Sequence, residues 1–341
     1  MLRLTPPARA EARGPIIGRP ASSPSPALTS PAATPITRPA RAQDMDAGTS
    51  DTADKGAKVT LAHRFEYAGY RLAAAILSAL PVEAASGLGG FLWRRLAPFD
   101  RRHARALENL KLAFPDSTPE WRERVARDMW EGLGRVFAEG FHLEEIVASG
   151  RLKLTPDSLD AMPEDRRFVA AAPHQGNWEL AAAILRFSGG RAGGVYQRLK
   201  NPLVDAHVRA LRAPFYPGGL WPKQGAAARQ ALRHLREGGV FATMGDLRDS
   251  HGPLIPFFGR PAPTSIFPAL AARLADAPLL AAEIVREPGV RFTVRLVRVE
   301  APRTQDREAD ALAGAAALQA AFEASIRRRP EQWMWNSRRW G

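Results

Sequence analysis

In the segment Phe168-Val-Ala-Ala-Ala-Pro-His-Gln-Gly-Asn-Trp-Glu-Leu180, His174 and Glu179 stand five positions apart, just after an apolar run. An imidazole beside a carboxylate can act as a general base. The carboxylate bonds one ring nitrogen and fixes the tautomer, and the other nitrogen takes a proton from a hydroxyl. Five residues along a continuous helix rotate by a net angle of about 140°, so the pair meets only if His174 lies ahead of the helix. The local sequence fits that arrangement. Phe168 to Ala172 reads as a short buried strand, Pro173 and Gly176 bend the chain, and Trp178 to Phe187 reads as a helix with Glu179 in its first turn. The N–H groups at such a helix start can also stabilise an oxyanion. The same residues equally suit an ordinary capping turn.

Two further segments gather polar side chains at the ends of strand-like runs. Tyr196-Gln-Arg-Leu-Lys-Asn-Pro-Leu203 presents Arg198 and Lys200 where open α/β sheets bind ligands, and both can contact phosphate or carboxylate. Asn201 and Pro202 read as the cap and first position of the following helix. The loop from Gly245 to Thr264 crowds Asp246, Arg248, Asp249 and His251 together and then turns apolar at Ile255-Pro-Phe-Phe-Gly259, which can line a lipid slot or anchor a long surface loop.

Composition removes several other chemistries. The chain has no cysteine, which excludes disulfides, thiolate catalysis and cysteine-ligated metals. Its seven histidines show no HExxH-like spacing, so neither a metal nor another cofactor is expected. A net charge of +13 favours an anionic partner: nucleic acid, an anionic membrane surface or a phosphorylated substrate. The arginines are scattered among helices without a zinc-knuckle, RNP-like or recognition-helix signature, which argues against nucleic acid.

Three regions must position these residues. Residues 1–58, rich in Pro, Ala, Ser and Thr, read as a disordered tail; their arginines and few acids are faintly like a transit peptide, and a misplaced start fits as well. Residues 59–150 read as helical and membrane-associated. The apolar run Leu72–Leu80 is too short to span a bilayer, and flanking Phe65, Tyr67, Tyr70, Trp93, Arg94 and Arg95 suit a hairpin lying in the interface, with a buried helix pair as the alternative. A basic helix over 101–114 and an amphipathic one over about 119–146 follow. From 151 to 341 strand-like runs (168–172, 194–197, 240–244, 278–285, 291–299) alternate with helical ones (178–187, 202–212, 226–237, 266–274, 310–329). That alternation predicts an α/β fold with a mixed central sheet flanked by helices.

Taken together, His174 to Glu179, Tyr196-x-Arg-x-x-Asn-Pro-Leu203, Pro256-Phe-Phe-Gly-x-Pro-Ala-x-Thr264, Leu107-Glu-Asn-Leu-Lys-Leu-Ala-Phe-Pro-Asp116 and the ending Pro330-Glu-Gln-Trp-Met-Trp-x-x-Arg-Arg-Trp340 resemble the bacterial lipid A late acyltransferases, over roughly residues 65–341. The resemblance implies a glycerolipid acyltransferase-like enzyme on the cytoplasmic face of the inner membrane. It would move a fatty acyl group from acyl carrier protein, or acyl-CoA, to a hydroxyl of a lipid A precursor. It also implies that His174 is the general base and Glu179 its orienting acid. In the mechanism drawn from this likeness, Arg198, Lys200, Asn201, Asp246 and Arg248 bind substrate, and Phe257 and Phe258 accommodate the acyl chain.

The chain departs from the family pattern at two places. Asp246-Leu-Arg-Asp249 stands where an Asp-Gln-Asp type sequence is common, and Lys223 replaces an arginine, keeping a cation without its planar fork. These departures leave a lysophospholipid or an amino-acid-containing lyso-lipid as alternative acceptors. A catalytically silent membrane-associated paralogue is the alternative of another class.

Overall fold

From residue 152 onward, short and mostly apolar runs form nine strands among the residues that a computed structural model describes, 58–183 and 189–340. They are β1 (Leu152–Leu154), β2 (Val169–Ala172), β3 (Ala192–Tyr196), β4 (Gly219–Pro222), β5 (Val240–Met244), β6 (Leu254–Phe257), β7 (Arg260–Pro263), β8 (Leu279–Glu287) and β9 (Arg291–Val299). Seven make one sheet in the order β1-β9-β8-β2-β5-β3-β4, while β6 and β7 form a separate hairpin. Strands β8, β2, β5, β3 and β4 run parallel, and β9 reverses against β8, so the sheet is mixed.

Burial on both faces follows from the sequence of β2, whose four residues are all apolar and all buried. Successive strand side chains point to opposite faces. Val169 and Ala171 accordingly join one apolar cluster, with Phe241, Leu318 and Phe322, whereas Ala170 and Ala172 join a second, with Ile146, Leu180 and Phe215. Helices α8 (Ala227–Arg236), α9 (Phe267–Leu274) and α10 (Arg307–Arg328) pack on the sheet, while α7 (Pro202–Arg212) packs on the first helix of the N-terminal region. Short α6 (Pro156–Ala161) packs on β9.

The N-terminal region is α1 (Leu61–Ala79), α2 (Val82–Leu96), α3 (Arg101–Ala113), α4 (Pro119–Glu139) and α5 (Leu143–Ala148). Thr60 and Thr118 cap α1 and α4 through side-chain bonds to His63 N and Trp121 N. The helix expected over 119–146 is two helices, because α4 ends at Gly140. A boundary at residue 150 does not divide the core: Leu110, Val125, Met129 and Trp130 pack in the same cluster as Val169 and Phe241. The sequence-read tail up to residue 57 lies outside the described residues. The helix expected over 178–187 is, in its described part to Ala183, not an α-helix; it opens as a 3₁₀ turn at Trp178–Leu180, closed by Leu180 N to Asn177 O (3.1 Å) and Ala181 N to Trp178 O (3.0 Å).

Helices α2 and α4 approach so closely that a Cβ on Gly134 would lie 2.2 Å from the Gly89 carbonyl oxygen. Only a residue without a side chain fits there. Gly134→Ala is therefore expected to cost about 1–3 kcal/mol of unfolding free energy. On the same helix Gly132 faces open space, and Gly132→Ala should instead be neutral or stabilising by up to about 1 kcal/mol, from helix propensity. Urea titration of both variants checks the opposite signs.

Candidate active site

The site grows from one register. Strands β2 and β5 are parallel neighbours, with Ala172 paired to Met244. Each chain runs two residues further, to His174 and to Asp246, and the two side chains meet. Asp246 Oδ1 lies 2.7 Å from His174 Nδ1, while Oδ2 accepts the His174 backbone N–H (2.7 Å) and Trp333 Nε1–H (2.7 Å). Asp246 is 1% exposed. Burial opposes its ionisation, but the facing imidazole and these hydrogen bonds outweigh that cost and hold its carboxyl below the usual value. An ionised Asp246 requires a proton on Nδ1, which leaves the Nε2 lone pair for whatever enters the site.

Glu179 does not bond the imidazole. Its carboxylate is gripped by Arg212, at the end of α7, with Nε and Nη2 each 2.6 Å from an oxygen. The chain leaves the strand through Gln175 and Gly176 and tightens into the 3₁₀ turn, which brings Glu179 to face α7. The carboxylate on Nδ1 is thus Asp246 rather than Glu179. The same turn replaces the expected helix start, and the Glu179 N–H is taken by Asn177 Oδ1 (3.1 Å), so no helix-start oxyanion site forms there.

His174, Glu179 and Arg212 line one cavity of about 520 Å³ together with Trp178, Tyr216, Lys223 and Arg248. Much of its wall is apolar: Val195, Leu220, Ala227, Ala228, Phe267 and Pro268. Burial and the nearby Glu179 charge push Tyr216 up to about 12, so its hydroxyl stays protonated. The Arg248 Nε is buried without a hydrogen-bond partner. A cavity with an apolar wall, an available imidazole nitrogen and cations beside it suits an apolar substrate with an anionic part.

The other sequence candidates fall elsewhere. Arg198 and Lys200 are exposed and do not line this cavity. Asn201 is structural: its Oδ1 caps α7 at Leu203 N (3.1 Å), and its Nδ2 donates to His63 O (2.8 Å) and Glu66 Oε2 (3.0 Å), which pins α7 to α1. Asp246 sits behind His174 and does not line the cavity. Phe257 and Phe258 are buried in an aromatic cluster with Trp333, Trp335 and Trp340, away from the cavity lining, because the β6–β7 hairpin folds inward against the C-terminal segment. Arg212 and Tyr216 gave no signal in the sequence, and Trp333 stood out only within the C-terminal motif with no role attached, since their value lies in which distant elements they meet. Among the described residues no group of three or more His, Asp or Glu side chains is placed to hold a metal.

Residues 59–341 match the family model described as bacterial lipid A biosynthesis acyltransferase. A search of curated proteins finds no match. Among solved structures, the 1-acyl-sn-glycerophosphate (LPA) acyltransferase PlsC of Thermotoga maritima aligns at 16% identity and a TM-score of 0.33, covering 68% of this chain and 96% of that one.

Asp246→Asn tests the geometry directly. Because Oδ2 receives two N–H donors, the amide oxygen must take that place, which turns the amide NH₂ toward Nδ1 and moves the imidazole proton to Nε2. Nitrogen-15 NMR of His174 should show the tautomer reversed. The depressed carboxyl pKa contributes stability that is full above the ordinary carboxylate range and lost as pH falls through the lower folded value. The stability gap between wild type and Asp246→Asn should therefore narrow with acidification, as read by denaturant unfolding across pH.

Proposed function

The chain belongs to the bacterial lipid A biosynthesis acyltransferase family, and from that premise we propose that it transfers a fatty acyl group from a thioester to a lipid hydroxyl with His174 as general base. The observation that carries this reading is the His174–Asp246 bond, whose imidazole lines a largely apolar cavity. The acceptor hydroxyl gives its proton to His174 Nε2 as its oxygen attacks the thioester carbonyl. The tetrahedral intermediate then collapses, and the imidazolium returns the proton to the departing thiolate. Asp246 stabilises that imidazolium and holds its tautomer. No covalent enzyme intermediate is required.

Arg248 and Lys223, both on the cavity wall, are assigned to the anionic part of donor or acceptor. Glu179 and Arg212 neutralise one another, so they form part of the cavity wall without adding net charge. Acyl carrier protein is the proposed donor, with acyl-CoA as the other thioester, and a lipid A precursor is the proposed acceptor.

The reading also places the enzyme on the cytoplasmic face of the inner membrane. No helix among the described residues is long and apolar enough to cross a membrane. Helix α1 nevertheless exposes Leu61, Phe65, Leu72 and Ile76, and α2 exposes Leu88, Phe91, Leu92 and Leu96. The spacing on α1 puts its four on one stripe, and Arg95, Arg101 and Arg102 stand exposed nearby. This combination suits a surface that sinks into anionic headgroups.

Purified protein given acyl carrier protein bearing a radiolabelled acyl chain should label a lipid A precursor. His174→Ala and Asp246→Asn should each lower kcat by on the order of 10³ or more; survival of most activity in His174→Ala would sink the mechanism. Phe65→Glu combined with Phe91→Glu should abolish sedimentation with anionic liposomes while leaving the folded far-ultraviolet spectrum intact.

A further inference from the structure

Glu139, the last residue of α4, is fully buried. A carboxylate removed from water is costly unless every lone pair finds a donor. Here all do. Oε1 accepts from Ser86 Oγ (2.6 Å) and Arg286 Nη1 (2.6 Å), and Oε2 accepts from Arg286 Nη2 (2.7 Å) and Asn177 Nδ2 (2.8 Å). Ser86 belongs to α2, Arg286 to the far end of β8, and Asn177 to the loop that carries His174.

Stability alone does not account for this arrangement, since well-packed apolar residues often serve as well as a buried ion pair. What an apolar group cannot do is orient an amide. Asn177 is itself fully buried. With Nδ2 committed to Glu139, its Oδ1 is aimed at the Glu179 N–H and sets the start of the 3₁₀ turn. The opposite half of the loop has separate anchors: Met334 N donates to His174 O (3.1 Å), and Gly176 N donates to Gln332 O (3.0 Å). Gly176, at φ +60°, leaves no room for a Cβ, which would lie 2.2 Å from the Ile284 carbonyl oxygen. The C-terminal segment thus holds the His174 side of the loop. Glu139 holds the Glu179 side.

We propose that Glu139 is a positioning residue that acts through Asn177, fixing the turn that sets Trp178 and Glu179 on the wall of the cavity that His174 also lines. Trp178 meets the His174 ring edge to face at 5.3 Å, so displacement of the turn also changes the surroundings of the base. The kinetic consequence rests on the acyl-transfer reading; the structural consequence does not.

A double-mutant cycle on the full chain tests it. Asn177→Ala cuts the link yet leaves Glu139 paired with Arg286 and Ser86, so it guards against a folding failure of Glu139→Gln. Each single variant should lower kcat by about 10–100-fold, with KM within about twofold of wild type. The double variant should be no slower than the worse single, because both remove the same link. Losses that multiply, or a wild-type kcat in either single variant, would overturn the proposal. Site-resolved mass spectrometry of diethyl pyrocarbonate labelling at His174 supplies a readout free of any substrate. If wild type proves inactive on acyl thioesters, equal changes of labelling rate in both singles and the double still support the positioning role, and an unchanged rate refutes it.

Discussion

The contact between His174 and a buried, ionised Asp246 constrains the rest of the molecule. A carboxylate at that depth exists only because three N–H groups converge on it from two distant parts of the chain: the imidazole and backbone of His174 in the β2 loop, and the indole of Trp333 near the C-terminus. Bringing β2 and β5 side by side supplies the first two. The third obliges the C-terminal segment from residue 330 to 340 to fold back toward the β2 loop, where Gln175 and Trp333 form an antiparallel bridge. The final segment is therefore part of the site.

A second buried charge follows from that return of the chain. Arg339 is 1% exposed and donates to Pro263 O (2.9 Å), Thr264 Oγ1 (2.8 Å) and Gln319 Oε1 (2.9 Å), with its guanidinium over the Phe257 ring at 4.7 Å. Loss of water pulls it down to about 10, a cost that the negative Asp246 partly offsets. Gln319 uses its other end to donate to Gly245 O (2.8 Å), beside Asp246. The aromatic cluster around Phe257 and Phe258 is the apolar wall of this charged interior, which is why those two side chains pack inward rather than facing substrate.

The α/β alternation was legible because it depends on local periodicity: β5, β9 and α7 lie where the pattern puts them, and β2, β8, α8 and α9 within one or two residues of it. His174 was legible for the same reason, as a polar residue directly after a buried run. Its partner was not. Asp246 and Glu179 are equally plausible carboxylates in the sequence, and the nearer one attracts the assignment. Which carboxylate meets Nδ1 depends on strand order, and nothing in residues 168–180 states that β5 rather than β3 or β8 follows that path. The short strands β1, β4, β6 and β7 were missed because three or four residues carry too little alternation to distinguish them from loop, and β4, β6 and β7 also contain Gly or Pro.

Three carboxylates near the site show why residue type and spacing cannot settle roles alone. Asp246 faces an imidazole, Glu179 a single arginine at the cavity wall, and Glu139 an arginine, a serine and an asparagine in a fully closed interior. Only the first faces a group whose charge changes when it takes a proton, so only Asp246 can stabilise an imidazolium at the moment it forms. The other two are matched to permanently charged guanidinium groups, and a pair that is neutral before proton transfer is neutral after it. Their contribution is geometry, and geometry is what the Gln175–Asn177 loop, lacking a regular helix to stiffen it, has to borrow from its neighbours.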